Sequence, residues 1–147
     1  MTIRTPTANE LYAIQRLDEE LFAPDHYPLF TLRQYFDVAP EFILGGFADD
    51  GALMGYALGS VSASAPVGWL LALTTHPDYL RRGVAKDLLN TLLVRFKDYG
   101  AWMARLTVDP RNEAAKGLYQ SIGFEEIARL DNYFGANTPR IRMELRL

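Results

Sequence analysis

The sequence predicts an α/β fold built on a mixed sheet of about seven strands. An apolar run at 69–75 is too short for a helix between Gly68 and Pro77, so it indicates a buried strand. The next segment has apolar residues at spacings of three and four, which indicates an amphipathic helix; they are Val84, Leu88, Leu92 and Phe96. Helices that join successive strands produce parallel crossovers, so the sheet should be mixed.

The other elements have local signals of their own. Thr7 and Glu10 stand at capping-box spacing before the first helix, and the run 49–51 (Asp-Asp-Gly) is typical of a hairpin turn. Gly100 and Gly123 are expected to end two helices. We predict strands at 2–5, 42–47, 53–61, 69–75, 101–108, 124–130 and 141–147, and helices at 7–22, 32–38, 84–99 and 112–122.

Composition narrows the classes of protein. A chain of 147 residues, nearly half of them hydrophobic, is expected to form one domain, residues 1–147. It has no cysteine, which excludes disulfides, a thiolate nucleophile and a zinc-finger pattern. No apolar run approaches ~20 residues, so we expect a soluble, cytoplasmic protein without a membrane partner. The net charge of -3 disfavours nucleic acid as a partner.

Acidic residues concentrate in one short stretch, which contains Asp18, Glu19, Glu20 and Asp25. The simpler interpretation is a solvated helix end. The functional interpretation is a cavity mouth that favours a cationic acceptor.

The loop Leu80–Ala85 joins the central strand to its helix and carries two arginines and Gly83. The first turn of a helix leaves backbone N–H groups without partners, and a glycine lets a ligand approach them. This arrangement suits a phosphate or pyrophosphate, although a solvated loop has the same composition.

A second segment, residues 112–124, reads Asn-x-x-Ala-x-x-Leu-Tyr-x-x-x-Gly-Phe. Together with Pro-Asp-Tyr-x-Arg-Arg-Gly-x-Ala at 77–85, it resembles the GCN5-related N-acetyltransferase (GNAT) superfamily. Gly83 and Ala85 match the coenzyme A loop of that family, whereas Leu80 stands where Gln or Arg is usual. The resemblance covers nearly the full length and implies the GNAT fold, a single domain with helices on both faces of the sheet.

The resemblance also implies a reaction, the transfer of an acetyl group from acetyl-CoA to a primary amine in a ternary complex. The N–H of Leu73 would polarise the thioester carbonyl, Thr75 and Asn112 would contact the pantetheine, and Tyr119 would protonate the leaving thiolate. A phenol has a pKa near ~10 and a thiol near ~8.5, so this proton transfer is chemically reasonable. The implied coenzyme-binding residues are Leu73, Thr75, Arg81, Arg82, Gly83, Val84, Ala85, Lys86, Asn112 and Tyr119. Strand packing or a buried helix face would account for several of them equally well.

The general base is the least certain part of this site. The chain most resembles bacterial enzymes that acetylate the N-terminal amine of a ribosomal protein, and these carry a glutamate where Thr107 stands here. Glu20, Glu41 or His26 could replace it, or water could be relayed through Thr107. An acceptor amine of low pKa would need less help from a base. An α-amino group (pKa ~8) therefore fits better than a lysine side chain (pKa ~10.4).

Aromatic side chains in two loops would form the acceptor pocket. The candidate acceptor-binding residues are Phe22, His26, Tyr27, Thr107 and Tyr133. We expect a protein or peptide N-terminal amine as the acceptor. A small-molecule amine or amino acid is the alternative, and a non-catalytic acyl-CoA-binding module is a further one. No metal site is expected, and the protein should be a monomer or homodimer.

Overall fold

The computed structural model describes residues 1–147 as one seven-stranded sheet with four helices. The strands are β1 (Thr2–Arg4), β2 (Ile43–Phe47), β3 (Leu53–Val61), β4 (Val67–Thr75), β5 (Met103–Val108), β6 (Glu125–Leu130) and β7 (Arg140–Arg146). The helices are α1 (Leu11–Phe22), α2 (Leu29–Val38), α3 (Val84–Tyr99) and α4 (Glu113–Ile122). Short 3-10 turns lie at Pro40–Phe42 and Pro77–Tyr79.

The sheet is mixed, as predicted, with the strand order β1-β2-β3-β4-β5-β7-β6. Strands β4 and β5 pair in parallel through α3. Strand β5 is also parallel to β6 through α4, because β7 lies between them and pairs antiparallel with both. Helices α1 and α2 contribute to the core on one face, and α3 and α4 to the core on the other. The expected helices on both faces are therefore confirmed.

Helix α3 approaches the sheet closely because glycines lie beneath it. A Cβ on Gly68 would stand 2.3 Å from the ring of Phe96, and one on Gly59 would stand 2.6 Å from it. Any side chain at these two positions would push the helix away from β3 and β4. Phe96 is fully buried, so these glycines create the space for its ring.

Helix boundaries differ from the prediction most clearly at α1, which begins at Leu11 and not at residue 7. The Glu10 carboxylate accepts the N–H of Thr7 at 2.9 Å, as a capping box requires, but it also pairs with Arg4 at 2.9 Å. This contact ties the preceding turn to the end of β1. The hairpin at 49–51 is confirmed: the Gly51 N–H donates to the carbonyl of Ala48. None of the helices has the length and apolar character needed to cross a bilayer.

The feature that positions the site is the separation of β4 and β5. They pair only along Val67–Trp69 and Met103–Arg105. Leu71 is then an extra residue in β4, because its neighbours Leu70 and Ala72 lie opposite consecutive residues of β3. Such a bulge bends and twists its strand. Beyond it β4 stays paired with β3 and leaves its β5 side open.

Candidate active site

A cavity of about 790 Å³ occupies the opening between β4 and β5. Its walls come from the end of α1 and the following loop, the C-terminal parts of β4 and β5, the start of α4 and the β6–β7 loop. Seven predicted site residues line it: Phe22, His26, Tyr27, Leu73, Thr107, Asn112 and Tyr119. Residues far apart in the sequence therefore meet at the place predicted for a ligand, the carboxyl ends of diverging parallel strands.

Tyr119 is both a core residue and a cavity residue. Its ring packs on Phe124 with 5.9 Å between centroids, and the residue is only 8% exposed. Its hydroxyl forms no hydrogen bond within the chain, although the residue lines the cavity. Burial raises the pKa of Tyr119 to about 12. The phenol therefore keeps its proton at neutral pH and has no internal acceptor for it.

Asn112 begins α4, as predicted. Its side-chain oxygen accepts the N–H of Ala115 at 3.1 Å, which caps the helix. The residue also lines the cavity, and its side-chain amide donates to no other residue of the chain. The cap therefore leaves the Asn112 amide group available to a ligand.

Two neighbouring residues at the end of β4, Thr74 and Thr75, differ in whether they line the cavity. Thr75 does not line the cavity: it lies opposite Gly55, where a Cβ would meet Val84 of α3, so its side chain is on the α3 face. Thr74, which the sequence did not single out, lines the cavity and is only 4% exposed. Leu73 pairs with Ala57 of β3, and no strand covers the other edge of β4 at this point.

The predicted phosphate loop lies at the same end of β4 but outside the cavity. Gly83 precedes α3 with φ of +80°, and no side chain caps the helix there. A Cβ on Gly83 would meet nothing within 4 Å, so the approach to the helix is open. Arg81 (φ +62°) and Arg82 are exposed beside it. The N–H groups of residues 84–86 are therefore free to bind the pyrophosphate of a coenzyme.

The acidic stretch at 18–25 does not form a uniformly solvated helix end. Glu19, Glu20 and Asp25 are exposed, and Asp18 is only 2% exposed; Asp18 and Asp25 both line the cavity. It lies seven residues after Leu11, at a spacing that returns to the buried side of α1. That spacing was the signal in the sequence that could have identified it.

Tyr133 does not line the cavity, whereas its neighbour Phe134 does. The two rings pack edge to face with centroids 4.7 Å apart, so Tyr133 supports the wall from behind. The guanidinium of Arg140 lies 5.1 Å from the centre of the Phe134 ring, and Arg140 also lines the cavity. Alternation in an irregular loop has no fixed period, so the sequence did not distinguish these neighbours.

The structure places the candidate bases in different parts of the molecule. His26 and Thr107 line the cavity. Glu20 lines a different cleft, beside His76, and the backbone carbonyl of Glu41 accepts a hydrogen bond from Arg95 of α3. Of the candidates considered, His26 is the ionisable side chain that shares the cavity with Tyr119.

With this geometry in place, comparison with known proteins identifies the family. The model of the acetyltransferase (GNAT) family matches residues 8–124. The chain belongs to this family.

Individual relatives within the family differ in the acceptor that their names give. Ribosomal protein bS18-alanine N-acetyltransferase of Escherichia coli K12 is 35% identical over 65 residues, which are 44% of this chain and 44% of the relative. The chain thus aligns with less than half the length of that relative. Aminoglycoside N(6')-acetyltransferase type 1 of Salmonella typhimurium LT2 is 28% identical over 115 residues, 78% of this chain and 74% of the relative.

Solved structures confirm the fold. The structure of the E. coli S18-alanine enzyme matches with a TM-score of 0.81 at 24% identity, covering 99% of this chain and 92% of that one. A chain of the NatC complex bound to Gag peptide and CoA gives a TM-score of 0.87 at 17% identity, with 99% and 98% covered. The GNAT fold and the predicted family are therefore confirmed.

Proposed function

We propose that this chain transfers the acetyl group of acetyl-CoA to a primary amine by direct attack, with a protein or peptide N-terminus as the leading acceptor. The observation that carries the proposal is that an uncapped helix start and a cavity lie together at the end of β4. An uncapped helix start follows the strand on one side, and on the other a cavity contains the unpartnered hydroxyl of Tyr119. The first suits the phosphates of the coenzyme and the second suits its thioester.

Each of the following residues would have its own role in binding or in the reaction. The N–H groups at the start of α3 bind pyrophosphate, while Thr75 and Asn112 border the path of the pantetheine. The acceptor nitrogen forms a bond to the thioester carbon as the carbon–sulfur bond breaks. The N–H of Leu73 stabilises the carbonyl oxygen during attack, and Tyr119 gives its proton to the departing sulfur. Its raised pKa ensures that the proton is present at any physiological pH. The nitrogen loses a second proton as the amide forms, and this proton restores the phenol of Tyr119, directly or through water.

The proton of the incoming ammonium needs a separate acceptor. His26 lines the cavity, and a ring nitrogen of histidine can accept a proton, so we assign it this role, directly or through water next to Thr107. The threonine hydroxyl itself is no base near neutral pH. An α-amine requires less assistance than a lysine because a larger fraction is already neutral.

A peptide N-terminus is favoured by the relatives named for bS18 alanine and by the aromatic walls of the cavity, where Phe22 and Phe134 are exposed. A small amine remains the second candidate, since the aminoglycoside acetyltransferase aligns with a larger part of the chain. We further propose that the chain is one acetyltransferase domain that works as a monomer or homodimer.

The experiment that tests this function measures CoA thiol release from acetyl-CoA with N-terminal peptides, lysine peptides, amino acids, polyamines and an aminoglycoside. We expect turnover with peptides that have a free N-terminus and none when that terminus is blocked. Preference for the small amines would transfer the assignment to the second candidate. Tight binding of acetyl-CoA without turnover of any amine would contradict the transferase and favour a binding module.

A further inference from the structure

The carboxylate of Asp18 is buried beside the cavity without a counter-charge. It is 2% exposed, and no Lys, Arg or His lies within ion-pair distance of it. A buried carboxylate is normally paired with a cation or neutralised, because removing a charge from water is costly. Asp18 has no cationic partner within the chain.

Neutral donors hold Asp18 in a fixed orientation. The hydroxyl of Tyr56 donates to Oδ1, and the backbone N–H of Tyr27 donates to Oδ2 at 2.7 Å. Each carboxylate oxygen can accept more than one hydrogen bond, so both retain capacity. These contacts fix the carboxylate between β3 and the loop after α1 and still allow a further donor.

A second buried polar group faces the same cavity without a partner. The hydroxyl of Thr74 has no hydrogen bond of normal geometry, although it lies near the hydroxyl of Tyr56, and the residue is only 4% exposed and lines the cavity with Asp18. Thr74 lies opposite Tyr56 in the β3–β4 ladder, so it stands beside the tyrosine that holds Asp18. Buried polar groups are seldom left unpaired, and such a group at a cavity wall indicates a ligand contact.

We propose that Asp18 and Thr74 bind the ammonium group of the acceptor, so that the acceptor supplies the charge that the chain lacks. This inference rests on the proposed function, because it concerns the amine substrate of the same cavity. An ammonium has three donors and no acceptor, which matches a carboxylate and a hydroxyl oxygen. The site selects protonated amines over neutral groups of the same size and holds them beside the open edge of β4.

A binding measurement tests this site independently of turnover. The protein saturated with CoA is titrated with n-hexylammonium and with n-hexanol, and the backbone amide signal of Tyr27 is followed by NMR. We expect the ammonium to bind with a shift of that signal, and Asp18→Asn to weaken it by about 10-fold or more while hexanol binding is unchanged. Glu19→Gln is the matched control, because it removes the same charge from an exposed position on α1.

Thr74→Val provides a test that does not depend on the folding of Asp18→Asn. It should weaken hexylammonium binding about threefold, and its melting temperature, measured beside that of the wild type, shows that the variant is folded. Equal binding of hexylammonium to the wild type and both variants, or no binding to any, would overturn the site.

The two proposals fail separately. Amine turnover with an unchanged KM in Asp18→Asn overturns the ammonium site and leaves the transferase standing. Charge-dependent hexylammonium binding without turnover of any amine overturns the transferase and supports the ammonium site.

Discussion

Helices α3 and α4 both follow strands of the same sheet, yet their first turns are arranged in opposite ways. At α4 the side chain of Asn112 accepts the N–H of Ala115. At α3 the equivalent position is Gly83, in a left-handed conformation and without any side-chain cap. A capped turn stabilises the helix itself, whereas an uncapped one leaves donors and the positive end of the helix dipole for a ligand. Under the proposed function, the chain gives up a stabilising cap at α3 in favour of coenzyme binding.

The largest effect is expected at the uncapped turn. Gly83→Glu places a carboxylate where a pyrophosphate would lie, and like charges in contact cost several kcal/mol, so acetyl-CoA affinity should fall about 100-fold or more by calorimetry. Gly51→Glu is the matched control, because Gly51 also has positive φ (+87°) and open space around it but lies in the β2–β3 turn. An equal loss of affinity in Gly51→Glu would mean that backbone strain or net charge causes the effect, and it would contradict a phosphate site at Gly83.

Loss of the Tyr119 hydroxyl should act on turnover and not on coenzyme binding. Tyr119→Phe keeps the packing on Phe124 and removes the proton donor, so kcat should fall about 100-fold while acetyl-CoA affinity stays within about twofold. Tyr12→Phe, at an exposed position on α1, is the control. An unchanged kcat would make Tyr119 a packing residue and refute its role as the acid.

The capped turn should respond mainly in stability. Asn112→Ala removes the acceptor for the Ala115 N–H and should lower the free energy of unfolding by about 1 kcal/mol in denaturant titrations. Asn112→Ser keeps a cap but loses the amide that faces the cavity. We expect Asn112→Ser to restore most of the stability. The KM for acetyl-CoA should be raised in both variants, because both lack the amide. Full recovery of both quantities would limit Asn112 to the helix cap.

The smallest effect is expected at the start of α1, where an ion pair supports the preceding turn. Arg4 lowers the pKa of Glu10 from its ordinary value of 4.5 to about 2, mainly through their hydrogen bond. A lowered native pKa stabilises the fold above pH 4.5, and this contribution is lost as pH falls through about 2. Glu10→Gln should therefore be less stable than wild type at pH 7, and the difference should shrink between pH 4.5 and 2. A pH-independent difference would contradict the role of the ion pair.

These arrangements also show which parts of the molecule the sequence could predict. The starts of α3 and α4 were recognisable because Gly83 and Asn112 act on their own helices. The mixed character of the sheet followed from the alternation of strands and helices and from the family resemblance, whereas the order of the strands within the sheet was not predicted.

The rest depended on contacts between distant residues. Thr74 was missed because its burial results from packing between β3, β4 and α1, and Asp18 was named within the acidic stretch but not recognised as its buried member. The extra residue Leu71, which precedes the open part of β4, is visible only against its pairing with β3. Phe134 was confused with Tyr133 because an irregular loop has no period to follow.

The most direct test of the account is to map the backbone amide signals of the protein as acetyl-CoA is added. We predict large shifts for residues 84–86 at the uncapped turn and for Leu73 on the open edge of β4. A much smaller shift is expected for Ala115, whose N–H is already bonded to Asn112. Binding with no response at 84–86, or with the main response at the capped turn, would contradict the assignment of the α3 start and the β4–β5 opening to one coenzyme site.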